Sequence, residues 1–149
     1  MSAFMDDLIL SGEEILTNTI IWMEVGHYLY KISRLPRATL FDVLKKLMDL
    51  PTLIIVDVDV QLLYDSLSLL ADLFMYPIGG RDATILAAMN RFNVRKLVSH
   101  DEGFKRLARD GLIEVIDPVV QDQLEEDGLE LFLGHHLRPS PTRSSHGRF

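Results

Sequence analysis

Cysteine is absent from this chain of 149 residues. Disulfide bonds and thiolate metal sites are therefore excluded, and a reducing compartment is the natural setting. A long uninterrupted apolar run is also missing, because the most apolar segment, residues 15–32, contains Asn18, Glu24 and His27. Such a segment is not expected to span a membrane. The first ten residues carry two acidic side chains and no basic one, so no signal peptide is visible and the cytoplasm is the expected location.

Basic residues are scarce, since 15 Lys and Arg face 22 Asp and Glu, for a net charge of −7. This balance argues against indiscriminate binding to nucleic acid. The cations are unevenly spread, however, because residues 81–109 carry seven of them against three anions. One interpretation is a solvated surface of mixed charge. The other places these cations beside a carboxylate cluster that acts on phosphodiesters, and the sequence leaves both open.

What the chain does contain is an alternation of helical patterns with short apolar segments. The apolar segments, which we predict to be strands, lie at residues 14–17, 52–56, 96–99 and 113–116. They rarely alternate in polarity, which is typical of inner strands of a parallel sheet. The pattern predicts an α/β fold, a three-layer α/β/α sandwich with a short parallel sheet. We expect one domain over residues 1–133 and a disordered tail over residues 134–149, where little can be buried.

The predicted helix at residues 20–32 carries apolar residues on nearly every face, so we expect it to be largely buried. Glu24 lies inside this helix, and a buried carboxylate must be paired, protonated or bound to a cation. One interpretation pairs Glu24 with Lys31 or with a backbone group. The other makes Glu24 a ligand for a cation.

Two further carboxylates follow in places where ligands often gather. Asp82 comes just after a Gly-Gly pair, in the first turn of a predicted helix, and Asp101 follows the apolar strand of residues 96–99. In open α/β sheets, ligands bind outside the carboxyl ends of the strands. Together with Glu24, these acids form an all-oxygen set that suits Mg²⁺ or Mn²⁺. The alternative is that Asp82 only favours the helix dipole and Asp101 only caps the next helix.

Three other polar residues have simpler interpretations. Asp57 and Asp59 are spaced like the Asp-x-Asp of phosphatases that form an aspartyl phosphate, but no Gly-Thr follows them. We interpret them as residues at a strand end and a helix start. His100 lies beside Asp101, and we interpret it as a solvated loop residue.

Two segments of the second half resemble the C-terminal half of a PIN domain. Residues 80–89 match the family's Ala-rich helix that opens on an Asp, here Asp82. Residues 96–104 match its apolar strand, followed by Thr or Ser, a variable residue, an Asp and a Phe three positions later, here Asp101 and Phe104. This pair of segments is the more specific part of the resemblance.

The remaining elements of the resemblance are less specific. Residues 113–118 are similar to the closing strand of the family, and residues 15–25 are similar to its second strand and the helix that bears its second acid, here Glu24. The resemblance extends over roughly residues 3–118.

The resemblance implies a metal-dependent nuclease that acts mainly on RNA, as in the toxin halves of VapBC toxin–antitoxin pairs. Glu24, Asp82 and Asp101 would be the catalytic acids and the ligands of Mg²⁺ or Mn²⁺. The implied partners are RNA, an antitoxin protein and a second copy of the chain. The candidate substrate-binding residues are Thr17, Asn18, Ser99 and Arg81.

One departure from the family pattern concerns the start of the chain. PIN domains begin with an apolar strand that ends in an Asp, and this sequence starts after that point, so the first central strand of the sheet is expected to be missing. We expect the chain to be a truncated reading of a longer gene; the alternative is an intact but degenerate member. Two functions follow from these alternatives. The first is an RNA-cleaving enzyme, and the second is a noncatalytic module that binds a protein partner or itself.

Overall fold

The computed structural model describes residues 3–120, in which helices alternate with short strands. In chain order the elements are α1 (Ala3–Leu10), β1 (Ile15–Asn18), α2 (Thr19–Ile32), α3 (Arg37–Met48), β2 (Leu53–Val56), α4 (Val60–Asp72), α5 (Gly80–Arg91), β3 (Lys96–Val98), α6 (Glu102–Arg109) and β4 (Glu114–Ile116). The four predicted strands, the predicted helix at residues 20–32 and the predicted helix that carries Asp82 in its first turn are all present, and the ends of the strands differ from the prediction by a residue. The predicted tail at residues 134–149 lies outside the described residues.

Side-chain caps explain where three of the helices begin. Asn18 accepts a hydrogen bond from a backbone N–H at the start of α2, at 3.1 Å, and Asp59 does the same for α4, at 2.7 Å. Asp101 caps α6 in the same way, at 2.8 Å. The first N–H groups of a helix have no partner inside the helix, so an acceptor just before it stabilises the start. The predicted helix-start role of Asp59 and capping role of Asp101 are both confirmed.

The four strands form two separate two-stranded parallel sheets. In the first sheet β1 pairs with β2, with Asn18 opposite Val56 at the carboxyl end. In the second sheet β3 pairs with β4, with Val98 opposite Ile116. The predicted α/β class with parallel strands is confirmed. Within residues 3–120, no backbone ladder joins β1 to β3, so something other than strand pairing must hold the two sheets together.

Helix α5 supplies that connection, because two of its faces are buried in different clusters. One cluster packs α5 on β2 and α4 and consists of Val56, Leu62, Ala87 and Ala88. The other packs α5 on α6 and consists of Leu86, Met89, Phe104 and Leu107, with Leu97 and Val115 of the second sheet beside it. The small alanine side chains let α4 approach α5 closely. The first turn of α5 is therefore held in a defined place between the two sheets.

The prediction that α2 is largely buried is wrong. None of its residues is fully buried, and Met23 and Tyr28 expose 76% and 61% of their surface. Apolar residues occur all round the helix, but its main packing partners are α3 and β1, which cover only part of its surface. No helix among the described residues is long and apolar enough to cross a bilayer.

Candidate carboxylate site

Asp82 is the most enclosed of the three predicted acids. It lies in the first turn of α5 and is 7% exposed. Its Oδ2 accepts a hydrogen bond from the backbone N–H of Gly79, at 2.9 Å, which stabilises the start of the helix. Its Oδ1 accepts two hydrogen bonds from the guanidinium of Arg81, at 3.0 Å and 3.1 Å. Both carboxylate oxygens are therefore held in place by hydrogen bonds from neighbouring groups.

Arg81 connects Asp82 to Glu24, which comes from the distant helix α2. Nη1 of Arg81 donates to Oε2 of Glu24, at 3.0 Å, while the rest of the guanidinium contacts Asp82. Glu24 is half exposed, with 50% of its side-chain surface accessible, and its partner is Arg81, not Lys31. The expectation that Glu24 is buried is thus also wrong. The hydrogen bonds to Glu24 and then to Asp82 raise the pKa of Arg81, so this cation stays charged.

Asp101 is exposed and lies just before α6. One of its oxygens caps α6 through the N–H of Gly103, and its own N–H donates to Oγ of Ser99, at 3.1 Å. Gly103 is packed against Pro77 and Ile78, just before the Gly79 that binds Asp82. The segment at residues 77–79 therefore connects the surroundings of the two predicted acids. Ser99 supports the backbone of Asp101.

Gly103 is required by close packing at this place. A Cβ added there would lie 2.7 Å from the carbonyl oxygen of Pro77 and 2.9 Å from Oδ1 of Asp101. We expect Gly103→Ala to lower the free energy of unfolding by about 1–3 kcal/mol, since a backbone carbonyl cannot move aside as a side chain can. Chemical denaturation measures this change. Gly80→Ala is the matched control, because no atom lies within 4 Å of its added Cβ; equal stabilities of the two variants would contradict the prediction.

Asn18 positions elements and does not line the surface. It is 1% exposed, its Oδ1 caps α2, and its Nδ2 donates to Oγ1 of Thr84 on α5, at 3.2 Å. We therefore assign it a positioning role in place of the substrate contact that the resemblance implied. Thr17, its half-buried neighbour in β1, stays a candidate for contact with substrate. The sequence analysis missed Thr84, the fifth residue of α5, whose only signal was a hydroxyl group among mostly apolar side chains.

The cation-rich window is largely neutralised by the chain itself. Four of its cations form ion pairs with acids, and these are Arg81, Arg91, Lys105 and Arg109. Arg106 lies over the ring of Tyr76, at 5.7 Å from the centroid. Arg95 and Lys96 lie at the start of β3, at the opposite end of that strand from Asp101. A mixed-charge surface therefore accounts for most of the window.

A second polar cluster forms beside β4, where Asp117 accepts from Lys105 at 2.7 Å and contacts Nδ1 of His100 at 3.0 Å. The hydrogen bond from Lys105, with a further contribution from His100, holds the pKa of Asp117 well below its usual range. Asp117 also accepts from the N–H of Val119 at 3.0 Å. These contacts fix the chain where it leaves β4. His100 is exposed, as predicted. Its carboxylate partner is Asp117 and not the adjacent Asp101, which the sequence did not indicate.

The chemistry of the donor set fits a hard divalent cation. Glu24 and Asp82 already converge on one positive group, the Arg81 guanidinium, which stands where a metal ion would be expected. Among residues 3–120, no group of three or more His, Cys, Asp and Glu side chains is close enough to hold a metal ion. Mg²⁺ is often held by one or two carboxylates together with water and substrate phosphates. Glu24 and Asp82 meet that description, with Asp101 outside their group.

Comparison with known proteins agrees with this arrangement of elements. The family model that describes the PIN domain matches residues 3–110, which include Glu24, Asp82 and Asp101. No curated protein and no solved structure matches the chain. The family match spans most of the sequence and confirms the resemblance found in the motifs. The chain therefore belongs to the PIN domain family.

Proposed function

We propose that this chain is a metal-dependent endoribonuclease in which Glu24, Asp82 and Asp101 are the acidic residues. The PIN domain is a nuclease-like fold family, and the match to its model supports the general class. The observation that carries the proposal is the convergence of Glu24 and Asp82 on a single cation, although 57 residues separate Glu24 from Arg81 in the chain. The fold brings Glu24 of α2 to the guanidinium that Asp82 of α5 already contacts, and an ion pair as exposed as Arg81–Glu24 contributes little to stability.

Glu24 and Asp82 would hold Mg²⁺ or Mn²⁺, with Asp101 outside this pair. Such an ion, when bound, would lower the pKa of a water molecule and neutralise charge on a phosphoryl oxygen. The chain's own residues do the positioning. Gly79 fixes one oxygen of Asp82, and Ser99 holds the backbone at Asp101. Both contacts are local, so they keep the acids in place when substrate is absent.

A pocket next to Glu24 supplies room for part of the substrate. It has a volume of about 400 Å³, opens to solvent and is lined by Thr19, Ile20, Met23, Glu24 and His27. This volume is within the usual range for small-molecule sites. A nucleotide seated there would have its base against apolar side chains and its phosphate near the acids. Arg81, which contacts Glu24, is one candidate contact for the RNA backbone, and Thr17 is a second one from the resemblance.

A more specific version of this proposal is that the chain is the toxin of a toxin–antitoxin pair. It rests on the resemblance of the motifs, and the surface of α2 and α3 supports it. Several large apolar side chains are exposed there, namely Met23, Tyr28, Tyr30, Ile32 and Phe41. Exposed apolar residues in such a number mark surfaces that bind proteins. An antitoxin protein or a second copy of the chain would cover them.

The same surface favours a second candidate function, a noncatalytic module that binds a protein partner. Arg81 neutralises the charge of two of the three acids. A module that binds no metal would also need this neutralisation. The two candidates differ in one measurable respect. The module forms a complex without metal and leaves RNA intact, whereas the enzyme cleaves RNA only when metal is present.

Cleavage of a single-stranded RNA by the purified chain tests the proposal. We expect endonucleolytic products with Mn²⁺ or Mg²⁺ and none after EDTA, because the acids alone carry only negative charge toward the phosphodiester. A DNA strand of the same sequence controls for the choice of nucleic acid. Intact RNA at every concentration of either metal would overturn the enzyme and leave the binding module.

A further inference from the structure

The guanidinium of Arg81 and a divalent cation would compete for the same pair of carboxylates. Oδ1 of Asp82 accepts two of the hydrogen bonds of Arg81, and Oε2 of Glu24 accepts a third. The other oxygen of Asp82 is already bound to the N–H of Gly79. A metal ion that binds Oδ1 of Asp82, or that lies between Glu24 and Asp82, must therefore displace Arg81, because two cations at one place repel each other.

The exposure of the three side chains makes this exchange feasible. Arg81 and Glu24 have 45% and 50% of their side-chain surface accessible, whereas Asp82 has 11%. The guanidinium can therefore turn toward water without opening the core. Ion pairs that are this exposed contribute little to stability, so their loss does not unfold the domain.

We propose that Arg81 is an internal competitor of the divalent cation and sets how tightly the Glu24–Asp82 pair binds metal. Without metal, Arg81 neutralises both carboxylates. Metal binding displaces the guanidinium, and the affinity for metal is reduced by the interaction that must first be broken. This inference rests on the proposed function for the identity of the metal pair, but it concerns occupancy of the pair and not cleavage.

Arg81→Gln tests the inference through metal binding alone. The variant keeps the backbone carbonyl of residue 81, which accepts the hydroxyl of Thr84, and removes the charge. We expect it to bind Mn²⁺ about tenfold more tightly than the wild type, a typical size for coupling between two sites. The loss of the electron paramagnetic resonance signal of free Mn²⁺ measures binding of the metal alone, with no RNA present.

Two controls separate this effect from a general change in charge. Arg81→Lys keeps the positive charge but loses the fork of nitrogens that contacts Glu24 and Asp82 at once. Its affinity for Mn²⁺ should therefore lie between those of the wild type and Arg81→Gln. Arg91→Gln removes the same charge elsewhere, because Arg91 pairs with Asp59 and Asp65. Its affinity should stay close to the wild-type value.

The possible outcomes distinguish the two proposals. If Arg81→Gln binds Mn²⁺ no more tightly than a wild type that binds and cleaves, the competitor role fails and the nuclease stands. An equal gain in Arg91→Gln would also overturn the competitor role. The wild type could leave RNA intact while Arg81→Gln binds Mn²⁺ more tightly than the wild type. This result would support the competitor role and contradict the nuclease proposal. Absence of Mn²⁺ binding in every variant would overturn both.

Discussion

Asp82→Asn is expected to reduce metal-dependent cleavage of RNA at least about 100-fold. This loss is larger than the one usually seen when a residue that only supports a metal ligand is replaced. The substitution should leave the local structure unchanged. The side-chain oxygen of asparagine can still accept from the N–H of Gly79, so the start of α5 is preserved. What is lost is the negative charge that faces Arg81 and, by the proposal, the metal. The loss of favourable interaction with the helix dipole should cost about 1 kcal/mol or less.

Asp42→Asn is the matched control for this substitution. Asp42 is exposed on α3 and belongs to none of the described ion pairs, so the charge change is the same and the place is different. Initial rates at saturating Mn²⁺, together with thermal unfolding of each variant, separate chemistry from stability. An Asp82→Asn protein that is folded and cleaves at the wild-type rate would show that Asp82 is not part of the site.

Leu62→Ala is expected to lower the free energy of unfolding by about 2–5 kcal/mol, the range for truncation of a buried leucine. Leu62 has no exposed surface and packs with Val56 of β2 and with Ala87 and Ala88 of α5. The alanines cannot extend to fill the space, because they have no atoms beyond Cβ. The cavity should therefore persist, which places the cost toward the upper part of the range.

The neighbouring residue provides the control. Leu63 is on the same helix but 47% exposed, so Leu63→Ala removes the same atoms from a site that water already reaches. We expect Leu63→Ala to lower the free energy of unfolding by well under half as much as Leu62→Ala, since truncation of a partly exposed side chain removes less buried apolar surface. Urea denaturation of both variants gives the comparison. Similar losses in the two would mean that α4 does not pack on α5 as described.

Metal binding of Leu62→Ala adds a second readout. The core cluster around Leu62 holds α5, and the first turn of α5 carries Arg81 and Asp82. At temperatures where the variant stays folded, its affinity for Mn²⁺ should match the wild type, because the carboxylate pair is built from contacts at the surface. Stability and site would then be separable properties of this domain.

Local signals in the sequence were sufficient to place the strands and the starts of two helices. The strand at β2 is rich in β-branched residues, and Asp59 and Asp101 cap the helices that follow strands. A cap acts over two or three residues, so it does not depend on distant parts of the chain. The position of Asp82 in the first turn of α5 was predicted for the same reason. The family motif could be recognised because it consists of these local features in a fixed order.

The tertiary structure decided the features that depend on residues far apart in the chain. Arg81 pairs with Glu24, and Asn18 binds Thr84. Helix α2 remains largely exposed because its main packing partners, β1 and α3, cover only part of its surface. The apolar pattern of α2 indicates that any side of the helix could be buried. It does not indicate how many other elements pack against the helix.

The site itself shows the same division. Its three candidate acids were proposed from the sequence, because each acid lies next to a local landmark, namely a strand end or the first turns of a helix. Which of them share a cation was decided by packing, since the distance between Glu24 and Asp82 depends on how α2 and α5 lie against β1. Charge pairs of this kind follow from the positions of whole elements, and those positions result from burial of apolar surface summed over the entire domain.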